Sequence, residues 1–186
     1  MDSLSPSVDG VIGENLRILA QVTGDICQRS SLDEATGGTL TANQFAILRI
    51  LDKRAQLTAS EFARLLRISN AAVSKNLDRL VQLDLVARAS RPGDRRSANL
   101  VLQPAAVEML HRYDAIVERK LAGMLDAFAD EEKPRLLDFI QRLIRHTLAD
   151  EQDVDLICYQ CGGRCGDACV IEHCQGTCTL MHMEGD

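Results

Sequence analysis

Residues 58–102 constrain the fold more than any other stretch. Thr58-Ala-Ser-Glu61 has the form of a capping box, in which a threonine and a glutamate satisfy each other's backbone amides at a helix start. Phe62, Leu65 and Leu66 follow, so the spacing predicts a short helix ending near Arg67. Ser69 can cap a second helix. Ala72, Val73, Leu77, Leu80 and Val81 give that helix an apolar side, and Asn70, Ser74, Lys75, Asn76 and Arg79 give it a polar one. Residues 85–90 and 97–102 then read as strands around the tip Arg91-Pro92-Gly93-Asp94-Arg95-Arg96, whose Pro-Gly is a turn signal. Helix, tight turn, helix and hairpin is the order of a winged helix-turn-helix. That shape sets one helix in the major groove of DNA with a basic loop beside it.

The whole chain has 186 residues and a net charge of −6, which at first sight argues against a nucleic-acid partner. The distribution matters more than the sum. Residues 60–99 hold eight basic side chains (Arg64, Arg67, Lys75, Arg79, Arg88, Arg91, Arg95, Arg96) against four acidic ones (Glu61, Asp78, Asp84, Asp94). A window of +4 inside an acidic protein is what a local phosphate-binding face looks like. The candidate DNA contacts are Ser69, Asn70, Ala71, Ser74, Lys75, Asn76 and Arg79 on the helix, with Arg88, Arg91, Asp94, Arg95 and Arg96 in the wing. Asp94, set among arginines, is read as an ion-pair partner that orients one of them.

The flanking segments read as a helical frame. Tryptophan is absent and aromatics make up 3%, so the core is mainly Leu, Ile, Val and Ala, which favours packed helices. Residues 1–10 read as a loose leader, and 11–32 as a helix with an apolar stripe that includes Cys27 as a buried small hydrophobe. Residues 33–40, with Gly37-Gly38, read as a loop. Thr41-Ala-Asn-Gln44 is a second capping box, opening a helix to about Lys53. Pro104 suits the first turn of a long helix to about Ala129, and Asp130 a cap for a last one to Leu148. The apolar faces of the first and last two helices exceed what the small reading unit can cover, which points to a second copy of the chain. A homodimer also matches the two-fold symmetry of a palindromic operator.

Residues 11–148 resemble the MarR-type transcription regulators. The resemblance rests on the winged helix order, Leu77-Asp78-Arg79-Leu80, Leu85-Val86 leading into the wing, and above all Gly93-Asp94-Arg95-Arg96 at its tip. It implies a mainly α fold with a small β-wing, dimerised through helices at about 11–32 and 104–148, with a DNA-reading lobe at about 41–102. It implies residues 69–79 as recognition helix and Asp94 with Arg96 as the wing's structural and DNA-contacting pair. It also implies ligand pockets between the helical dimer region and the DNA lobe, though no residue identifies a ligand. Two places depart from the usual pattern: Asp84 stands where a glycine is common, and Leu102-Gln103-Pro104-Ala105-Ala106 replaces a Leu-Thr-x-x-Gly run.

Residues 149–186 differ in kind. An acidic linker (Asp150, Glu151, Asp153, Asp155) leads to Cys158, Cys161, Cys165, Cys169, Cys174 and Cys178, spaced C-x2-C-x3-C-x3-C-x4-C-x3-C. The segment has too few apolar residues for a core of its own, and crowded thiolates need a cation between them. An iron–sulfur cluster, [4Fe–4S] or [2Fe–2S], is the leading expectation, with glycine amides near the sulfurs to tune it. The ferredoxin spacing is not matched and only Cys158/Cys161 forms a zinc-type knuckle, so zinc is the alternative. Copper(I), helped by Met181, Met183 and the histidines His173 and His182, or a thiol–disulfide switch, stays open.

The first ten residues lack a basic start and an apolar run, and no stretch is long enough to span a membrane. The expectation is a cytoplasmic protein in a reducing compartment, where clustered cysteines bind metal or act in redox chemistry. No phosphate loop, paired carboxylates or nucleophilic triad is present, so an enzyme is not expected. The functional expectation is a DNA-binding repressor modulated by a redox- or iron-sensitive cluster. The alternatives are a repressor sensing a small molecule with a structural zinc or copper-sensing tail, and a metal-storage or electron-transfer protein that uses the winged helix for protein contacts.

Overall fold

The computed structural model describes residues 7–54, 57–91, 94–148, 154, 157–158 and 169–171, with the backbone alone for 89–91 and 94–99. The chain starts with α1 (Val8–Val22), runs through a π-helical segment (Thr23–Arg29) and continues as α2 (Ser30–Thr36). Then come α3 (Ala42–Lys53), α4 (Ala59–Leu66), α5 (Asn70–Gln82), the hairpin β1 (Val86–Arg91) and β2 (Asp94–Leu102), α6 (Pro104–Leu125) and α7 (Lys133–Leu148). This is the mainly helical winged helix that the sequence predicts.

Local signals set most boundaries. Both capping boxes form: Thr41 with Gln44, and Thr58 with Glu61. Ser69 accepts from the Ala72 amide at 3.2 Å and opens α5. Two boundaries differ from the sequence reading. Helix begins at Val8, capped by Ser7, so the helical stripe starts inside the segment read as leader. Helix also runs on to Thr36, inside the segment read as a loop. Thr36 folds its hydroxyl back onto the Leu32 carbonyl at 2.8 Å, and the break falls at Gly37 and Gly38, both with positive φ. At the far end Ala129, not Asp130, marks the turn into α7: its amide donates to the Glu132 carboxylate at 2.9 Å, while Asp130 pairs with Lys133.

The core lies in the reading lobe. Phe62, Ile47, Leu48, Val73 and Leu80 are fully enclosed, with Phe45, Leu65, Leu85, Val86, Leu100, Ala106 and Leu110 around them. It therefore takes residues from α3, α4, α5, both strands and the start of α6. The long helices behave differently. α1 buries no residue, and Ile12, Leu16, Leu19, Leu121, Leu125, Leu137, Ile140 and Leu143 are exposed apolar side chains on α1, α6 and α7. Cys27 is buried as expected, with its thiol 3.7 Å from the Met124 sulfur. No helix among the described residues is long and apolar enough to cross a membrane.

Candidate nucleic-acid interface

Two tight turns present α5. Between α4 and α5 the chain reverses through Arg67 at φ 53°, and the Ile68 amide bonds back to the Ala63 carbonyl at 3.1 Å. After α5 it reverses through Asp84 at φ 54°, with the Leu85 amide on the Leu80 carbonyl at 3.0 Å. Both are left-handed helix stops of the kind glycine favours. The second fixes the angle at which β1 leaves the helix, and Leu85 closes the hairpin base by accepting from the Gln103 amide at 3.0 Å.

The candidate helix residues fall on one side. Asn70, Ala71, Ser74, Lys75 and Arg79 are exposed and Asn76 is half-buried, while Val73, Leu77 and Leu80 point into the core. Ser69 is exposed and committed to the cap. In the wing, Val86 pairs with Leu102 and Arg88 with Leu100; the ladder has an irregularity between Ala89 and Arg91 and ends with Arg91 opposite Asp94. That backbone puts Arg91, Asp94, Arg95 and Arg96 at or beside the far end of the hairpin. Their side chains, and the turn residues Pro92 and Gly93, lie outside the described structure. Arg88 is the one wing arginine with a described side chain, and it does not simply face outward. Its Nη2 lies 2.6 Å from Asp78 Oδ1 on α5.

Residues of known proteins share this layout. Residues 39–97 match a family model described as MarR family. Over that stretch the chain is similar to the MarR family of winged helix transcription regulators. Those proteins are DNA-binding regulators, not enzymes, and they form dimers. The HTH-type transcriptional regulator PecS of Dickeya dadantii is 31% identical over 113 residues, which is 58% of this chain and 66% of PecS. The uncharacterized HTH-type regulator YpoP of Bacillus subtilis is 25% identical over 115 residues, 62% of this chain and 82% of YpoP. Among solved structures, YusO of Bacillus subtilis superposes with a TM-score of 0.61 at 24% identity, covering 75% of this chain and 99% of YusO. A MepR mutant of S. aureus gives 0.63 at 16%, covering 73% and 97%, so the likeness is one of fold.

Two features go beyond the sequence reading. First, where the resemblance implies a ligand pocket but names no residue, a cleft of about 590 Å3 opens between the π segment, α3 and α6, lined by Gly24, Gln28, Leu32, Phe45, Arg49, Ile50 and Tyr113 among others. At its wall Arg49 pairs with Asp114 at 3.0 Å, and these side chains are only 11% and 17% exposed. The Arg49 guanidinium also lies over the Tyr113 ring, 5.4 Å from its centre. Burial raises the Tyr113 hydroxyl above its ordinary value, so it stays protonated. An arginine inside the apolar run Phe45–Leu51 was the available signal.

Second, part of the tail docks. Val154, Cys158, Cys169 and Ile171 are buried in one apolar cluster with Leu148, and Ile144 packs against it. The tail thus borrows the end of α7 instead of needing its own core. Cys161, Cys165, Cys174 and Cys178 lie outside the described residues. Among the described residues no group of three or more metal-donor side chains forms.

Proposed function

We propose that this protein is a repressor that binds a palindromic operator as a homodimer in the cytoplasm, with occupancy set by a metal centre in its cysteine tail. The observation that carries the DNA reading is the exposed polar row of α5 beside an arginine-rich hairpin, in a lobe whose buried core holds that helix. Donors of modest length suit base edges, and arginines at a wing tip suit phosphates or a narrow minor groove. The homodimer reading is supported by α1, which has apolar side chains and buries none of them within its own chain. An unpartnered face of that kind on three helices needs a second copy.

Supporting the metal reading, two of the six thiols sit in one water-poor cluster on α7. Sulfur donors in such surroundings suit an iron–sulfur cluster, with zinc as the alternative. Because the cluster abuts Ile144 and Leu148, its loss or oxidation would disturb the C-terminal end of a helix whose exposed face we assign to the dimer. Anaerobic purification with a visible spectrum and analysis of iron, sulfide, zinc and copper tests this. A brown protein with matching iron and sulfide supports it, whereas a colourless zinc protein replaces it with a structural tail. Equal affinity of metal-free and loaded protein for the same DNA at one salt concentration sinks the sensing role.

The cleft favours a second reading, in which a small molecule modulates binding. It lies between the reading lobe and the long helices, and a ligand there would touch both. The cleft and the tail are separate inputs to the same helices.

A further inference from the structure

Arg88 has the charge of a DNA contact, yet it is held by a residue of the recognition helix. Its guanidinium reaches across from β1 to the Asp78 carboxylate at 2.6 Å, a charge-assisted hydrogen bond. Asp78 sits in the outward row of α5, one turn after Ser74 and Lys75 and one turn before Gln82, all exposed. A bare carboxylate there would face phosphates and repel them. Asp78 has no place in a row selected only for attraction to DNA, so its use must lie elsewhere.

We propose that Asp78 and Arg88 are a positioning pair. They strap the wing to the recognition helix, so that the arginines at the hairpin's far end reach the backbone while α5 lies in the groove. The hairpin needs such a strap. Its ladder is irregular between Ala89 and Arg91, and it is a two-stranded sheet with no third strand among the described residues to fix its direction. The pair ties the strand to α5 just before that irregularity. Because the two side chains are 58% and 53% exposed, the pair adds little to folding, and its effect belongs to DNA binding.

The proposal rests on α5 and the wing reading DNA, and the test separates the two. A duplex is first enriched from a random-sequence library by the wild-type protein, and Asp78→Asn, Arg88→Gln and the double variant are titrated against it at several salt concentrations. Asp78→Asn removes a negative charge from the DNA-facing row, so electrostatics alone predicts tighter binding. The strap predicts weaker binding, by roughly tenfold, with Arg88→Gln similar and the double variant no worse than either single one. Arg88→Lys, which keeps a cation within reach of the carboxylate, recovers most of the loss. Melting temperatures should hardly move. If Asp78→Asn binds as tightly as wild type or tighter, the strap is wrong. If Arg88→Gln also lowers the salt slope by about one, Arg88 is a phosphate contact instead. Failure of the wild type to enrich any duplex overturns the DNA reading itself.

Discussion

Asp84 holds a backbone conformation that costs most side chains free energy. At φ 54° it is in the left-handed region, and the Leu85 amide bonds back to Leu80 across it. Glycine adopts this conformation without that cost. Asp84→Gly should therefore raise stability by roughly 0.5–1 kcal/mol without changing DNA contacts, read as a higher melting temperature. A lower one means that the aspartate makes a compensating contact. Glu61 offers a pH test. Hydrogen bonds from the Thr58 amide and hydroxyl hold its carboxyl below the ordinary carboxylate value, with smaller help from Arg54 and Arg64. A lowered folded-state pKa adds stability that is complete above the ordinary value and lost as pH falls through the lowered one. Thr58→Ala should cost about 1 kcal/mol near neutrality and flatten the dependence of melting temperature on pH in the acidic range. Unchanged acid sensitivity would remove the capping box from the account. On the reading face, Asn70→Ala or Lys75→Ala should change which base pairs the protein prefers. Arg96→Ala should weaken all duplexes alike and flatten the salt dependence.

Elements differ in how openly the sequence announces them. Caps and stops were legible because they are local: Thr41, Thr58 and Ser69 each satisfy an amide within three residues. The extent of the first helix was not. It reads as 11–32 with a loop after it, yet helix runs from Val8 to Thr36, because Ser7 caps it inside the leader and the left-handed Gly37, not Asp33, ends it. The Arg49–Asp114 pair in the cleft wall was invisible for another reason: it joins residues 65 positions apart. Arg88 shows the limit of reading charge by type, since only the fold reveals Asp78 beside it. The tail's cysteine spacing is plain in the sequence, but its packing on α7 is not, because Val154 and Ile171 lie far apart in the chain and meet only on Leu148. Two predictions belong to this scale. Phe62→Ala, in the middle of the lobe, should cost roughly 3–5 kcal/mol and abolish DNA binding through unfolding. Ile12→Asp with Leu16→Asp, on a helix that buries nothing within its own chain, should yield folded monomers in sedimentation. A dimer that persists would assign the partner surface to other helices.

At the scale of the whole molecule, charge is segregated. A reading window of +4 sits in a chain of −6, so the remainder repels nucleic acid and leaves one face able to approach it. The tail cluster and the cleft both touch the long helices, and neither lies on the row of α5 that reads DNA. Any effect they exert must change how two reading lobes are spaced. The account's central claim is therefore a two-fold dimer that sets two copies of α5 in the major groove, flanked by wings. Footprinting of the wild-type protein on a duplex that it has itself enriched tests this most directly. The account predicts a palindromic site with two protected major-groove segments about 10 base pairs apart, or a multiple of that, and wing protection outside them. A single protected segment, or protection with no two-fold symmetry, would contradict it.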